Sequence, residues 1–242
     1  MKAPVRSIAT LLLFALGGTV VSGCRMAAQW DNMQGKQAFE AARYDEAIKS
    51  FQTALNRNPN DASAYYNLAA TYQMLGKQSR NPQMFATAEQ MYNRSIALDP
   101  RYTDAHRGLA VLLCETGRTD AAFDLMKTWQ ARTPTSADPY IELARLYQEH
   151  GDRNQAIQNL TSALALDASN ARALTAMATI REQNGELQLA LDNYLRAYQD
   201  SPNQPAVAAK IAQLQQQLQL PISSPTNTAP TRGGAANPYV PR

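Results

Sequence analysis

Cys24, Cys114, His106 and His150 are the only cysteine and histidine side chains of the chain. A Cys/His zinc site of the usual ligand count would leave no thiols for an independent disulfide. Paired carboxylates are the other source of reactive chemistry, here Glu115 with Asp120 and Glu142 with Glu149. Their spacing places them on predicted helix surfaces or turns, where they read as solvated charge and not as a general acid and base. His106 falls at a packing position and reads as a structural histidine. His150 precedes Gly151 at a predicted helix end, where partial positive charge suits the helix dipole. No Gly-x-Ser-x-Gly, His-Glu-x-x-His, phosphate loop or dinucleotide fingerprint occurs. The expectation is therefore no catalytic residue, no metal, no cofactor and no small-molecule substrate.

Of 242 residues, 45% are hydrophobic and 18% charged, enough apolar material for a sizeable core. A net charge of +3 argues against nucleic acid as a partner. Lys2 and Arg6 precede an apolar stretch at residues 8–21. At about 14 residues it is short of the ~20 that span a bilayer and reads as an export signal. It ends in Val21-Ser22-Gly23-Cys24, which resembles the bacterial lipobox. The resemblance implies lipid attachment to the Cys24 sulfur and cleavage before Cys24. With Arg25 following, it also implies an outer-membrane, periplasmic-face location in a bacterium with two membranes. The alternatives are an ordinary signal peptide or an uncleaved anchor. Lipid on Cys24 would leave Cys114 without an intramolecular disulfide, and Cys114 is then expected as a shielded, small hydrophobe.

The elements that position everything else repeat. Gly117, Gly151 and Gly185 are spaced by 34, as are Ala122, Ala156 and Ala190, and Ala110, Ala144 and Ala178. Within one period two amphipathic helices alternate. Tyr140, Leu143, Ala144 and Tyr147 make one stripe, Gly151 breaks it, and Ala156, Leu160, Ala163 and Leu164 make the next.

This pattern resembles the tetratricopeptide repeat. The resemblance implies an all-α fold, a right-handed α-solenoid of about five helix pairs with a C-terminal capping helix. The expected organisation is a signal at 1–23, a lipidated N-terminus and tether at 24–27, and the array at 28–204. The repeats are 28–61, 62–102, 103–136, 137–170 and 171–204, followed by a capping helix at 205–220 and a disordered Pro-rich tail at 221–242. The first repeat departs from the pattern at Asp31 and Gln34, the third at His106 and Trp129, and the fifth at Arg181. The second is seven residues longer than the period, around residues 77–83, which reads as a longer turn between its helices. Asn81-Pro82 would cap and start its second helix. The tether is short, so the first repeat would lie against lipid headgroups. Trp30 is expected to pack on the second helix, the alternative being a place at the membrane interface.

In this family the first helix of each pair lines a concave groove. The resemblance places Lys36, Phe39, Tyr66, Asn67, Gln73, Arg107, Val111, Ile141, Arg145, Gln148 and Arg172 along it. Apolar anchors with guanidinium forks suit an extended or helical peptide. Some family members clamp a terminal carboxylate with Lys and Asn. Here Asn67 matches, but Asn32 and Lys36 are in swapped order, and Asp104 and Gly108 stand where cations would be needed. The clamp is not reproduced. The function expected is a lipid-anchored adaptor or scaffold of the bacterial cell envelope, joined to the membrane through Cys24 and to protein partners through the groove. Its more specific version resembles the pilotin lipoproteins of type IV pilus or secretin assembly. The rivals are an envelope enzyme, for which no stretch of chain is left over, and a self-associating structural protein.

Overall fold

The computed structural model describes residues 9–219, with side chains from residue 25 onward. The positive residues before the apolar stretch, the Cys24 side chain and the 221–242 tail lie outside the described residues. No strand occurs among the described residues. Within them eleven helices follow one another: α1 (Ala9–Glu40), α2 (Tyr44–Arg57), α3 (Ala62–Ser79), α4 (Pro82–Leu98), α5 (Thr103–Glu115), α6 (Thr119–Arg132), α7 (Asp138–Glu149), α8 (Arg153–Leu166), α9 (Ala171–Gln183), α10 (Leu187–Asp200) and α11 (Pro205–Gln217).

The chain divides into two compact units between Ala122 and Phe123. In the first, α1 packs on α2 and α3 on α4. Neighbouring pairs meet through α2 against α3 and α4 against α5, with α1 beside α3 and α3 beside α5. In the second, α7 packs on α8, α9 on α10 and α8 on α9, with α7 beside α9 and α11 on α10. Each unit is thus built of helix hairpins, with the first helices of successive pairs side by side.

Turn chemistry follows the periodic residues. Asp61, Asp152 and Asn170 accept from the backbone N–H three residues on, at 3.0–3.1 Å, and start α3, α8 and α9. Gly117, Gly151 and Gly185 have φ of 78°, 83° and 79°. The next N–H reaches back to Leu113, Tyr147 and Arg181, closing helices α5, α7 and α9. Ala42 holds the same place after α1 with φ 57°, a left-handed conformation that strains a residue with a Cβ.

The expected longer turn in the second repeat is corrected. Its extra residues extend the helices, so α3 has 18 residues and α4 has 17. Only Arg80, left-handed at φ 50°, and Asn81 connect them. Asn81 does cap α4 from its side chain, with Pro82 following.

Small residues mark the helix crossings. Ala47, Ala54, Ala69, Ala88, Ala110, Ala122, Ala156, Ala163, Ala190 and Ala197 have no exposed surface. Ser95 takes such a place in α4 and donates to the Ala62 carbonyl at 2.7 Å. Large side chains fill the remaining space: Phe51 and Tyr92 in the first unit, Leu160, Leu174 and Met177 in the second. Each contributes roughly 1.5–3 kcal/mol when buried. Phe51 leaves no room for a side chain at Gly35, and Tyr92 none at Gly108, where an added Cβ would sit 2.5 Å from the ring. On α11, Val207, Ile211 and Leu214 close the second unit against Ala178, Ala190, Leu191 and Tyr194, as expected of a capping helix.

The departures from the repeat pattern acquire reasons. Asp31 in α1 receives Arg57 from the end of α2 at 3.1 Å, so a charge pair stands where an apolar contact was expected. The His106 ring is buried and donates through Nε2 to the Pro100 carbonyl at 3.1 Å. Trp129 is buried. His150 donates from Nδ1 to the Leu146 carbonyl at 2.9 Å, satisfying an acceptor at the end of α7.

Three further expectations change. Residues 24–27 are not a separate tether, because α1 runs through them and Ala28 is already buried. Trp30, expected to pack on α2, is 57% exposed. Cys114 is half-buried, where full shielding was expected.

Two backbone and packing predictions follow. Gly108→Ala is expected to destabilise by about 1–3 kcal/mol, because Tyr92 must shift. Ala42→Gly is expected to stabilise by about 1 kcal/mol by relieving the left-handed strain. Denaturant unfolding of both variants checks the signs.

Candidate functional site

In the first unit the face formed by α1, α3 and α5 gathers most of the groove residues expected from sequence. Asn67 of α3 donates to Asn32 Oδ1 of α1 at 2.9 Å, and Asn32 donates to Ser63 Oγ at 3.2 Å. This amide chain joins two first helices. Beside it lies a cleft of about 350 Å³ lined by Lys36, Phe39, Glu40, Phe51, Tyr66, Asn67 and Ala70. Phe39, Phe51 and Ala70 are its apolar components. Lys36, Glu40 and Asn67 supply the polar edge. Four of its seven lining residues, Lys36, Phe39, Tyr66 and Asn67, are among those expected in the groove.

Tyr66 is braced from behind. Its ring stands 5.4 Å from Tyr102, edge to face, and 6.0 Å from Tyr92. The Tyr92 hydroxyl donates to Gln73 Oε1 at 2.8 Å, and Gln73 Nε2 donates to Glu115 at 2.8 Å. Lys77 closes the chain on Glu115 at 2.8 Å. Both ends of the Gln73 amide are therefore committed, and Gln73 is a buried strut between α3, α4 and α5 instead of an open groove donor. Glu115 works within this strut and not with Asp120. Burial raises the Tyr66 and Tyr92 phenols above their ordinary value. The Asp104 carboxylate adds to the effect at Tyr66, and Tyr66 and Glu115 add to it at Tyr92. Tyr102 is pushed up to about 12, by burial first and then by Asp104. Arg107 pairs with Asp104 at 3.1 Å, one turn back on α5, and Val111 is half-buried.

In the second unit the corresponding face is a charge network. Glu142 of α7 is 1% exposed. It accepts from Arg145 Nε at 3.2 Å and from Arg172 of α9. Arg145 also pairs with Glu149, and Arg172 with Asp138 at 2.7 Å. Glu142 is thus not the solvated surface charge expected. It is the buried hub that ties two first helices. Arg145 and Arg172 are engaged with carboxylates, so a ligand would meet guanidinium groups already neutralised. Ile141 is buried in the core with Leu160, Leu164 and Leu174 and does not line a groove, while Gln148 is half-buried. A signal for the hub was present in the sequence. Arg172 follows Asp138 by one full period, so opposite charges occupy matching places on adjacent first helices. Further along, Lys210 of α11 reaches Glu182 at 2.7 Å, and Tyr194 donates to Glu182 at 3.2 Å.

Among the described residues no group of three or more His, Cys, Asp or Glu is placed to hold a metal ion. No described helix is long and apolar enough to cross a membrane.

Glu142→Ala is expected to cost about 3 kcal/mol, the low end for breaking a buried ion pair, because solvent reaches both guanidinium groups. Glu142→Gln should cost less, and denaturant midpoints compare the two. The raised phenols predict alkaline instability. The folded chain holds protons that the unfolded chain releases, so their contribution is full below pH about 10 and falls as pH rises toward about 12. Tyr102→Phe should make the decline of melting temperature with pH shallower over that window, and phenolate absorbance should rise late in the folded wild type.

Models of the tetratricopeptide repeat match residues 35–76, 83–146 and 141–205. Among curated proteins, Hsp70-Hsp90 organizing protein 3 of Arabidopsis thaliana is 37% identical over 79 residues. That stretch is 33% of this chain and 13% of the relative, so the chain matches about an eighth of that protein's length. Among solved structures, a thermophilic tetratricopeptide-repeat protein of Thermus thermophilus aligns with a TM-score of 0.57 at 27% identity, covering 78% of this chain and 98% of that one. Yeast Tom70 aligns with a TM-score of 0.63 at 19% identity, covering 72% of this chain and 36% of its own, a likeness of fold. The matched segments, the paired helices and the shared fold together make this chain a tetratricopeptide-repeat protein.

Proposed function

We propose that the chain is an adaptor that holds a peptide segment of another protein on the face formed by α1, α3 and α5. The cleft beside Phe39 and Tyr66 is the observation that carries this reading. Its volume of about 350 Å³ suits one or two apolar side chains, and the walls are fixed by the amide chain and by the edge-to-face tyrosines. Lys36 at the edge offers an ammonium group to a backbone carbonyl or carboxylate. The relative named for organising Hsp70 and Hsp90 supports a binding role for this type of repeat. Arg107, Arg145 and Arg172 serve as internal ties in this reading, and the affinity comes from the apolar floor.

The finer part of the proposal concerns place. The order of positive residues, apolar stretch, and Ser22-Gly23-Cys24 supports lipid attachment at Cys24. Arg25 supports the periplasmic face of an outer membrane. Multiple acyl chains would hold the protein far more firmly than one. Such a protein recruits or assembles partners at the envelope surface, and a pilotin-like role in secretin assembly is its more specific form.

Affinity capture from bacterial membranes tests the binding face. A partner held through the cleft should be lost from a Phe39→Ala, Lys36→Glu variant, with an affinity drop of about thirtyfold for a buried aromatic anchor. A variant of equal melting temperature that retains the partner unchanged rejects the assignment.

A further inference from the structure

Among the described residues, five large apolar side chains are exposed, and three of them fall within eight residues of α1. Met26, Trp30 and Met33 are 71%, 57% and 43% exposed. Their spacing of four and three residues places them on one stripe of the helix. Ala28, Gly35 and Ala38 face inward from the same segment. The stripe is therefore the outer side of a helix whose inner side is already packed.

The structure assigns this stripe to the surface of a lipid bilayer, an inference that rests on the proposed attachment at Cys24. Three observations select that occupant. First, α1 runs without a break from residue 24 to Glu40, so no linker separates the stripe from the attachment point. At a rise of 1.5 Å per residue, Met26, Trp30 and Met33 lie about 3, 9 and 13 Å along the axis from Cys24. Beyond the hydrocarbon core, the headgroup layer of each leaflet is about 5–8 Å deep. An upright helix would lift Trp30 to the outer limit of that layer and Met33 out of it. A tilted helix brings all three side chains down together, with the indole at the headgroup level that tryptophan favours.

Second, the charges suit such a tilt. Asp31 is the one acidic residue between Arg25 and Phe39. It lies about 140° round the helix from Met26 and is held by Arg57 at 3.1 Å. Arg25 is exposed beside the attachment point and meets an anionic surface favourably. Third, the patch is too small for a lasting protein contact. Three partly exposed side chains fall well short of the ~800 Å² per partner that a stable dimer buries. An anchored protein needs no such area, because attachment already holds the stripe at the membrane.

The consequence is orientation. With α1 tilted on its outer stripe, the packed side of the helix, and the hairpins stacked on it, faces away from the bilayer. The attachment then fixes which way the first unit presents itself and not only where it resides.

The test uses the full chain produced in a two-membrane bacterium, extracted in detergent and returned to phosphatidylethanolamine–phosphatidylglycerol vesicles. Flotation and the mass of the Cys24 peptide report the anchor. Quenching by lipids brominated near the headgroup reports the stripe. The chain has two tryptophans, so Trp30→Phe leaves buried Trp129 alone and isolates the Trp30 signal. The expected result is acylated, floating protein whose Trp30 emission falls about twofold in brominated vesicles, with clearly less quenching in Met26→Gln, Met33→Gln. Acylated, floating protein with unquenched Trp30 overturns the stripe and leaves the anchor. Protein that neither floats nor carries acyl mass overturns both. A blue-shifted Trp30 in a sedimenting dimer without vesicles overturns the bilayer in favour of a second copy.

Discussion

The closeness of neighbouring helices governs everything else in this molecule. Alanines without exposed surface stand at each crossing, and Gly35 and Gly108 lie under the rings of Phe51 and Tyr92. A methyl group or less at these points lets backbones approach until large side chains one turn away interlock. Packing of this kind leaves little slack, so within each unit the hairpins stack in one register. The periodic αL glycines then return the chain at a fixed point, and the next hairpin repeats the arrangement.

That closeness also shapes the polar chemistry. Closely packed helices bring charged and amide side chains within bonding distance, and many of them are spent on one another. Glu142 holds Arg145 and Arg172, Glu115 holds Lys77 and Gln73, and Asp31 holds Arg57. A face that reads as rich in cations is therefore nearly neutral in its contacts. The opening beside Phe39 and Tyr66 is different because Phe39, Phe51, Tyr66 and Ala70 line much of it, with the Asn67–Asn32 amide pair at its edge. Apolar burial and shape, with Lys36 at the margin, are what this face offers a partner.

Helix α1 gives the first unit its polarity. One side packs on α2 and α3, the adjoining edge contributes Lys36 and Phe39 to the cleft, and the outer side carries Met26, Trp30 and Met33. An anchor at residue 24, the outer stripe and the cleft would then share a single rigid element. In the reading proposed above, membrane attachment and partner binding are coupled through that helix with no linker between them.

Much of this was legible beforehand. Helical periodicity and a glycine every 34 residues follow from local propensity and spacing, so the hairpins, the glycine that ends a first helix, the Asn81 cap and the closing helix α11 were readable. The lengthened α3 and α4 were not, because whether extra residues loop out or extend a helix depends on where the next packing contact falls. Nor was the burial of Glu142 readable, or the withdrawal of Ile141 and Gln73 from the groove. Repeat position states which side of a helix a residue occupies, but neighbouring helices decide how much of that side they cover. Trp30 shows the same limit in reverse: an aromatic near a packing stripe looked internal, yet more than half of it stays exposed. Sequence alone determined the unit and its recurrence, since both are set within one period of chain. Tertiary structure alone decided which groove charges are consumed, where the cleft opens and which face of α1 stays bare, because each depends on contacts between residues a full repeat apart.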